Sequence, residues 1–222
     1  MKRILAVAFV LFAHLPAWTA ERSPSASAPA ASRPASWARR IELAGAPNLH
    51  KVSDTVYRSG QPTAEGMRNL QAMGIRTIVN LRSFHSDRDE IGTATLVYER
   101  IYMKAWHPEV EEIIRFLRIV TDPKRAPVLV HCEHGADRTG TMCAVYRICV
   151  QGWTKEEAIK EMKQGGYVFH SVWIELAPWI RGLDIDKIRK KAGIQKGFEE
   201  SAAGGSRKDP APEGTPQARG SQ

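Results

Sequence analysis

The sequence predicts an α/β fold, with a central, mostly parallel sheet flanked by helices in a single domain. Three observations carry that expectation. Short β-rich runs alternate with segments of helical period through the middle of the chain, as in parallel strands joined by crossover helices. One run, Val128-Leu129-Val130, is wholly apolar, as suits a strand covered on both faces. The part able to build a core spans roughly residues 41–191, about 150 residues, which suits one core.

The elements follow in order. Thr55–Ser59 reads as a short strand, stopped by Gly60 and Pro62. Thr63–Met73 places Met67, Leu70 and Met73 at helical spacing, with Gly74 as the stop. Ile75–Leu81 is β-rich and reads as a buried strand, followed by a polar loop Arg82–Glu90 and a short helix near Ile91–Leu96. Tyr98–Met103 alternates and reads as a strand. Pro108 opens a helix with Val110, Ile113, Ile114, Leu117 and Val120 on one face, ended by Asp122-Pro123. After the Val128–Val130 strand and a loop, a helix runs from Arg138 to about Val150 and stops at Gly152. Thr154 with Glu157 forms a capping box for the next helix, which ends at Gly165-Gly166. Two short helices follow, around Val172–Leu183 and Ile185–Lys191.

The chain ends have a different character. Met1-Lys2-Arg3, an apolar run Ile4–Leu15 and then small residues read as a secretory signal peptide over residues 1–20, cleaved after Ala17 or Ala20. That implies export, to the periplasm by expectation, with an uncleaved membrane anchor as the alternative. Residues 21–40 read as a flexible Ser/Ala/Pro linker, and residues 192–222 as a disordered tail.

Of the 222 residues, 43% are hydrophobic and 25% charged, which excludes collagen-like, coiled-coil and wholly disordered classes. The net charge of +8 suggests a nucleic-acid binder, but residues 1–40 carry six Lys/Arg against one acid, so the folded part is close to neutral and no nucleic-acid partner is expected.

The chemistry concentrates in Val128-Leu129-Val130-His131-Cys132-Glu133-His134-Gly135-Ala136-Asp137-Arg138-Thr139-Gly140. A cysteine ends a buried strand, and Arg138 stands six positions later at the mouth of a helix. Gly135 permits the tight turn between them. Amides of Glu133, His134, Gly135 and Ala136, with the positive end of the helix, would form an anion nest. Arg138 adds a bidentate fork to a tetrahedral oxyanion. The same field favours the thiolate of Cys132, an in-line nucleophile beneath a bound phosphate.

His131-Cys132-x5-Arg138-Thr139 resembles the signature loop of the cysteine-dependent protein tyrosine and dual-specificity phosphatases. Tyr57-Arg58-Ser59-Gly60-Gln61-Pro62 is similar to compact bacterial members and to the plant and fungal atypical dual-specificity group. The resemblance spans roughly Ser53 to Leu183 and implies a tyrosine-phosphatase-like fold with neither cofactor nor metal. It implies that Cys132 attacks phosphorus to give a phosphocysteine, that Arg138 and the loop amides stabilise the equatorial oxygens, that Thr139 assists the departing sulfur, and that His131 organises the loop. The substrates implied are phosphorylated proteins, phosphotyrosine by default, or small phosphoesters.

The general acid departs from the common Trp-Pro-Asp pattern, because Lys104-Ala105-Trp106-His107-Pro108-Glu109 holds no Asp. Asp137, as in myotubularin-like phosphatases, is the first candidate, then Glu109 and His107. Arg58, Arg82 and Lys104 follow strands and either ring the pocket mouth or are solvated charges. His85, His50 and His170 read as surface or structural histidines. Cys143 and Cys149 read as small core residues. The rival readings are an inositol (poly)phosphate phosphatase, a slow phosphate-binding pseudophosphatase, and a sulfur transferase or arsenate reductase.

Overall fold

The computed structural model describes residues 33–195, so the expected signal peptide, most of the linker and the tail beyond residue 195 lie outside the described residues. Six strands form one sheet in the order β1-β2-β3-β6-β4-β5. The strands are β1 (Arg39–Arg40), β2 (His50–Lys51), β3 (Val56–Ser59), β4 (Thr77–Asn80), β5 (Val97–Arg100) and β6 (Val128–His131). The pairs β3–β6, β6–β4 and β4–β5 are parallel, while β1–β2 and β2–β3 are antiparallel. Register puts Ser59, Asn80 and His131 side by side at the carboxyl ends of the three central strands. In open α/β sheets that edge is where ligands bind.

Alternation along the strands sorts the core into two faces. Val79, Val128 and Val130 point to one side, against α3 (Val110–Val120), α4 (Asp137–Gln151) and α7 (Ile185–Ala192). Ile78 and Leu129 point to the other, against Met67 and Leu70 of α1 (Ala64–Ala72) and Ile91 of α2 (Arg88–Ile91). Helix α4 is buried at nearly every position, because α5 (Lys155–Gln164) and α6 (Leu176–Gly182) cover the side turned away from the sheet. Caps fix helix boundaries, one of them the box expected at Thr154. Thr63 accepts from the Gly66 amide, and Thr154 and Glu157 form the reciprocal box.

The structure departs from the sequence reading in several places. Residues 33–40, expected as linker, fold onto the domain. The Arg33 guanidinium donates to Ala38 O (2.6 Å), Gly165 O (3.0 Å) and the Tyr167 hydroxyl (3.1 Å), and the Ala38 amide donates to Glu161 (2.6 Å). Strands β1 and β2 are two residues each, too short to show a period. The short helix after the Arg82 loop sits one turn earlier than expected, over Arg88–Ile91. None of its residues is fully buried and Ile91 is its one apolar side chain, so apolar spacing could not locate it. Pro108 lies just ahead of α3, whose N-cap is Glu109. Ile194 remains buried beyond α7, so the packed chain runs slightly past residue 191.

Candidate active site

The loop Cys132–Ala136 joins the end of β6 to α4. It can turn there because two glycines let backbone approach backbone. Gly135 has φ +72°, and a Cβ on it would lie 2.5 Å from the Ser59 carbonyl and the Gly60 amide. Gly60 is likewise pressed against the Glu133 and His134 carbonyls. The β3 exit thus braces the loop, with the Gln61 amide donating to Glu133 O (2.9 Å). Within the loop, Gly135 and Ala136 are buried, while Glu133 and His134 turn outward.

A layer of buried polar groups supports the loop from beneath. The Nε2 of His131 faces Asp87 Oδ2 at 2.7 Å, and its Nδ1 faces Cys132 O at 3.2 Å, so each ring nitrogen meets an oxygen acceptor. Asp87 is fully buried and also accepts from Gln61 Nε2 and Asn80 Nδ2, both at 2.9 Å. Burial alone would raise its pKa, but the hydrogen bonds from His131 and Gln61 outweigh it and hold the carboxyl below its ordinary range. On the other flank, Arg58 donates to Gly135 O (2.6 Å) and stacks on Tyr167, its Cζ 3.6 Å from the ring centroid. Asn48 Nδ2 donates to His134 O (2.9 Å) and Tyr167 O (3.1 Å).

At the centre, Cys132 is 2% exposed and borders the apolar core at the base of the loop. Arg138 is half-buried and its guanidinium makes no hydrogen bond or ion pair among the described residues. Thr139 is fully buried and its hydroxyl has no hydrogen-bond partner. A buried hydroxyl left unsatisfied costs about 1–3 kcal/mol, a cost expected where a group is reserved for a ligand or a reacting atom. A free guanidinium, an orphaned hydroxyl and a buried thiol around one amide-lined turn can hold a tetrahedral oxyanion over a nucleophile.

The proposed acids fare differently. Both carboxylate oxygens of Asp137 face His170, one its backbone amide (2.9 Å) and the other its Nδ1 (2.7 Å). Glu109 is exposed at the head of α3, its amide donating to Glu112 (2.9 Å), and His107 is an exposed member of a small bridge with Lys104. Arg82 reaches the rim, 3.8 Å from the Glu133 carboxylate, whereas Arg58 is 1% exposed and lies beneath the loop rather than around its mouth.

Gln61 entered the sequence reading only within the Tyr57–Pro62 stretch and His170 as a surface or structural histidine, while Asp87, Asn48 and Tyr167 were missed. Only Asp87 left a trace, since a histidine at the end of a wholly buried strand requires a buried acceptor. Cys143 and Cys149 are buried free thiols, and desolvation pushes each up to about 11. That suits core packing and not a resolving thiol. His85, Asp87 and Glu90 present ligand atoms within 4.8 Å of one another, the group among the described residues whose spacing could hold a metal. The Asp87 oxygens are already taken by His131, Gln61 and Asn80, which accounts for its position without an ion.

A fold with parallel strands ending beside a Cys-x5-Arg cup defines a cysteine-dependent phosphatase. A family model described as "DSP-PTPase phosphatase fused to NAD+ Kinase" matches residues 39–172, and the chain belongs to this dual-specificity and tyrosine phosphatase family. It is 35% identical over 161 residues to the dual specificity protein phosphatase TpbA of Pseudomonas aeruginosa, covering 72% of each chain. A crystal structure of that protein superposes with TM-score 0.66 at 33% identity, covering 73% of this chain and 99% of the other, and a second TpbA crystal structure is a complex with phosphotyrosine. The catalytic core of the Saccharomyces cerevisiae phosphatase Siw14 shares the fold, with TM-score 0.61 at 20% identity, covering 68% and 94%.

Proposed function

We propose that this chain hydrolyses phosphomonoesters of protein side chains, phosphotyrosine first, through a phosphocysteine on Cys132. The observation that supports this most directly is the unpaired Arg138 guanidinium beside the orphaned Thr139 hydroxyl and the buried Cys132. In this reading the thiolate of Cys132 attacks phosphorus in line, the S–P bond forms as the P–O bond breaks, and the amides of Glu133 to Ala136 with Arg138 take up the equatorial charge. Water then displaces the sulfur, with Thr139 hydrogen-bonding to the leaving thiolate. The Glu133 carboxylate at the rim opposes a densely phosphorylated ring by like-charge repulsion, although some relatives, such as one at 25% identity in Arabidopsis thaliana, are named inositol diphosphatases. The basic start and apolar run of residues 1–15 support export to the periplasm.

The test is phosphate release from a phosphotyrosine peptide, a phosphoserine peptide and inositol polyphosphates under reducing conditions. The phosphotyrosine peptide should be preferred. Cys132→Ser should lose more than about 10⁴-fold in kcat while still binding vanadate, since removal of a nucleophile ablates the step and leaves the oxyanion cradle. A Ser variant that retains turnover, or a wild-type chain inert toward every ester, would overturn the reading.

A further inference from the structure

The phosphatase reading leaves the proton of the leaving group unassigned, and the segment after α5 bears on it. His170 lies on the start of α4. Its amide donates to Asp137 Oδ1 (2.9 Å) and its Nδ1 faces Oδ2 (2.7 Å). Its ring meets that of His134, in the phosphate loop itself, edge to face at 5.2 Å between centroids. Its Nε2 makes no hydrogen bond among the described residues, and 41% of the side chain is open to solvent. Asp137 by contrast is 8% exposed. The imidazole is therefore anchored at one nitrogen and free at the other, on the rim of the cup.

The backbone that delivers it is strained. Among the described residues, the non-glycine positions with positive φ are Val168 (+61°) and Asn48 (+55°). Val168 stands two residues before His170, and Asn48 ties Tyr167 O to His134 O. A β-branched residue in the left-handed region is strained and persists where surrounding contacts enforce it. Here those contacts hold the 167–170 turn against the phosphate loop.

We infer that His170 Nε2, held by Asp137, is the proton donor to the leaving oxygen and the proton acceptor for the hydrolytic water. This rests on the phosphocysteine reading. In the first step Cys132 forms the S–P bond, the P–O electron pair passes to the ester oxygen, and that oxygen takes the Nε2 proton, leaving a neutral imidazole hydrogen-bonded to the Asp137 carboxylate. In the second step Nε2 takes a proton from water as its oxygen bonds phosphorus, and the S–P pair returns to the thiolate. The charged and titratable groups around the imidazole are Asp137 and the adjacent Arg138 from α4 and His134 from the loop. The Tyr167 hydroxyl of its own segment is turned away to Glu161 (2.9 Å).

The experiment compares p-nitrophenyl phosphate, a good leaving group, with a phosphoserine peptide, a poor one, across pH. His170→Gln should lower kcat for the alkyl ester about 10²-fold and for the aryl ester far less, with KM little changed and the alkaline limb of kcat flattened. Asp137→Asn should show the same selective loss. Vanadate inhibition and thermal melting report whether the cup remains built. Equal losses on both esters with the limb intact would reduce His170 to a loop support and overturn the inference, as would no loss at all. If wild type and Cys132→Ser are alike inactive on both esters, the phosphatase reading itself has failed.

Discussion

Two segments leave the carboxyl edge of the sheet, and they are built in opposite ways. The loop after β6 rests on groups withdrawn from water, with His131, Asp87, Asn80 and Thr139 all at 0% exposure and Arg58 at 1%. The segment between β5 and α3 carries Tyr102 at 60% and Trp106 at 62% exposure, and its acid is engaged as a helix cap. The loop expected to hold the oxyanion is thus braced by buried groups, as electrostatic preorganisation would require of it. The half where relatives of the common pattern keep their acid carries no comparable scaffold here. In the proposed mechanism the contrast separates anion binding from proton transfer, so that each should be open to disturbance without the other.

Among changes to the scaffold, the largest effect should come from Gly135→Ala. Its Cβ would strike the Ser59 and Gly60 backbone at 2.5 Å, and the φ of +72° adds strain, so the loop must move. A shift of about 1 Å in a positioned site costs on the order of 10²-fold. We expect at least that loss in kcat/KM with weakened vanadate binding, read from steady-state kinetics. Unchanged vanadate affinity would mean that the loop is not held by this approach.

Asp87→Asn comes next and acts through pH. The folded pKa of Asp87 lies below its ordinary 3.8, so its contribution is fully present above that value and is lost as pH falls through the lower folded value. Removing the charge beside buried His131 should cost about 1–3 kcal/mol at neutral pH. It should also flatten the stability profile below about pH 4, measured by urea titration from pH 3 to 7. The smallest effect belongs to Glu109→Gln and His107→Asn. His107→Asn should change stability by less than about 0.5 kcal/mol, Glu109→Gln, which alters the α3 cap, by about 0.5–1 kcal/mol, and each should leave kcat on a phosphoserine peptide within about twofold. A tenfold loss would return the proton donor to that turn.

How much was legible in the chain follows the same division. The strand-loop-helix around Cys132 is local, so a wholly apolar run, one glycine and Arg138 at a fixed offset announced it. Helices α1, α3 and α5 were readable from apolar period, caps and stops, α4 from its place after the loop and its Gly152 stop, and α3 in particular buries its stripe at Ile113, Ile114, Leu117 and Val120. The groups that hold the loop come from distant places. Asp87 meets His131 across 44 positions and Arg58 meets Gly135 across 77, with no period or spacing to connect them. Arg58 in β3 read as either a pocket-mouth or a solvated cation because a sequence cannot show that an aromatic ring 109 residues later lies beneath it. The two-residue strands β1 and β2 carry too few side chains to signal anything.

The contacts of residues 33–38 carry a practical lesson about where this enzyme begins. Glu161, gripped by Arg147 and by the Ala38 amide, accepts from Tyr167, whose ring underlies Arg58, which in turn holds the Gly135 carbonyl. A recombinant version started at residue 39, where the family match begins, would discard Arg33 and Ala38 and loosen the far end of that tether. The gene product is best trimmed no later than Ser32, lest a boundary drawn by homology alone quietly slacken the catalytic cup.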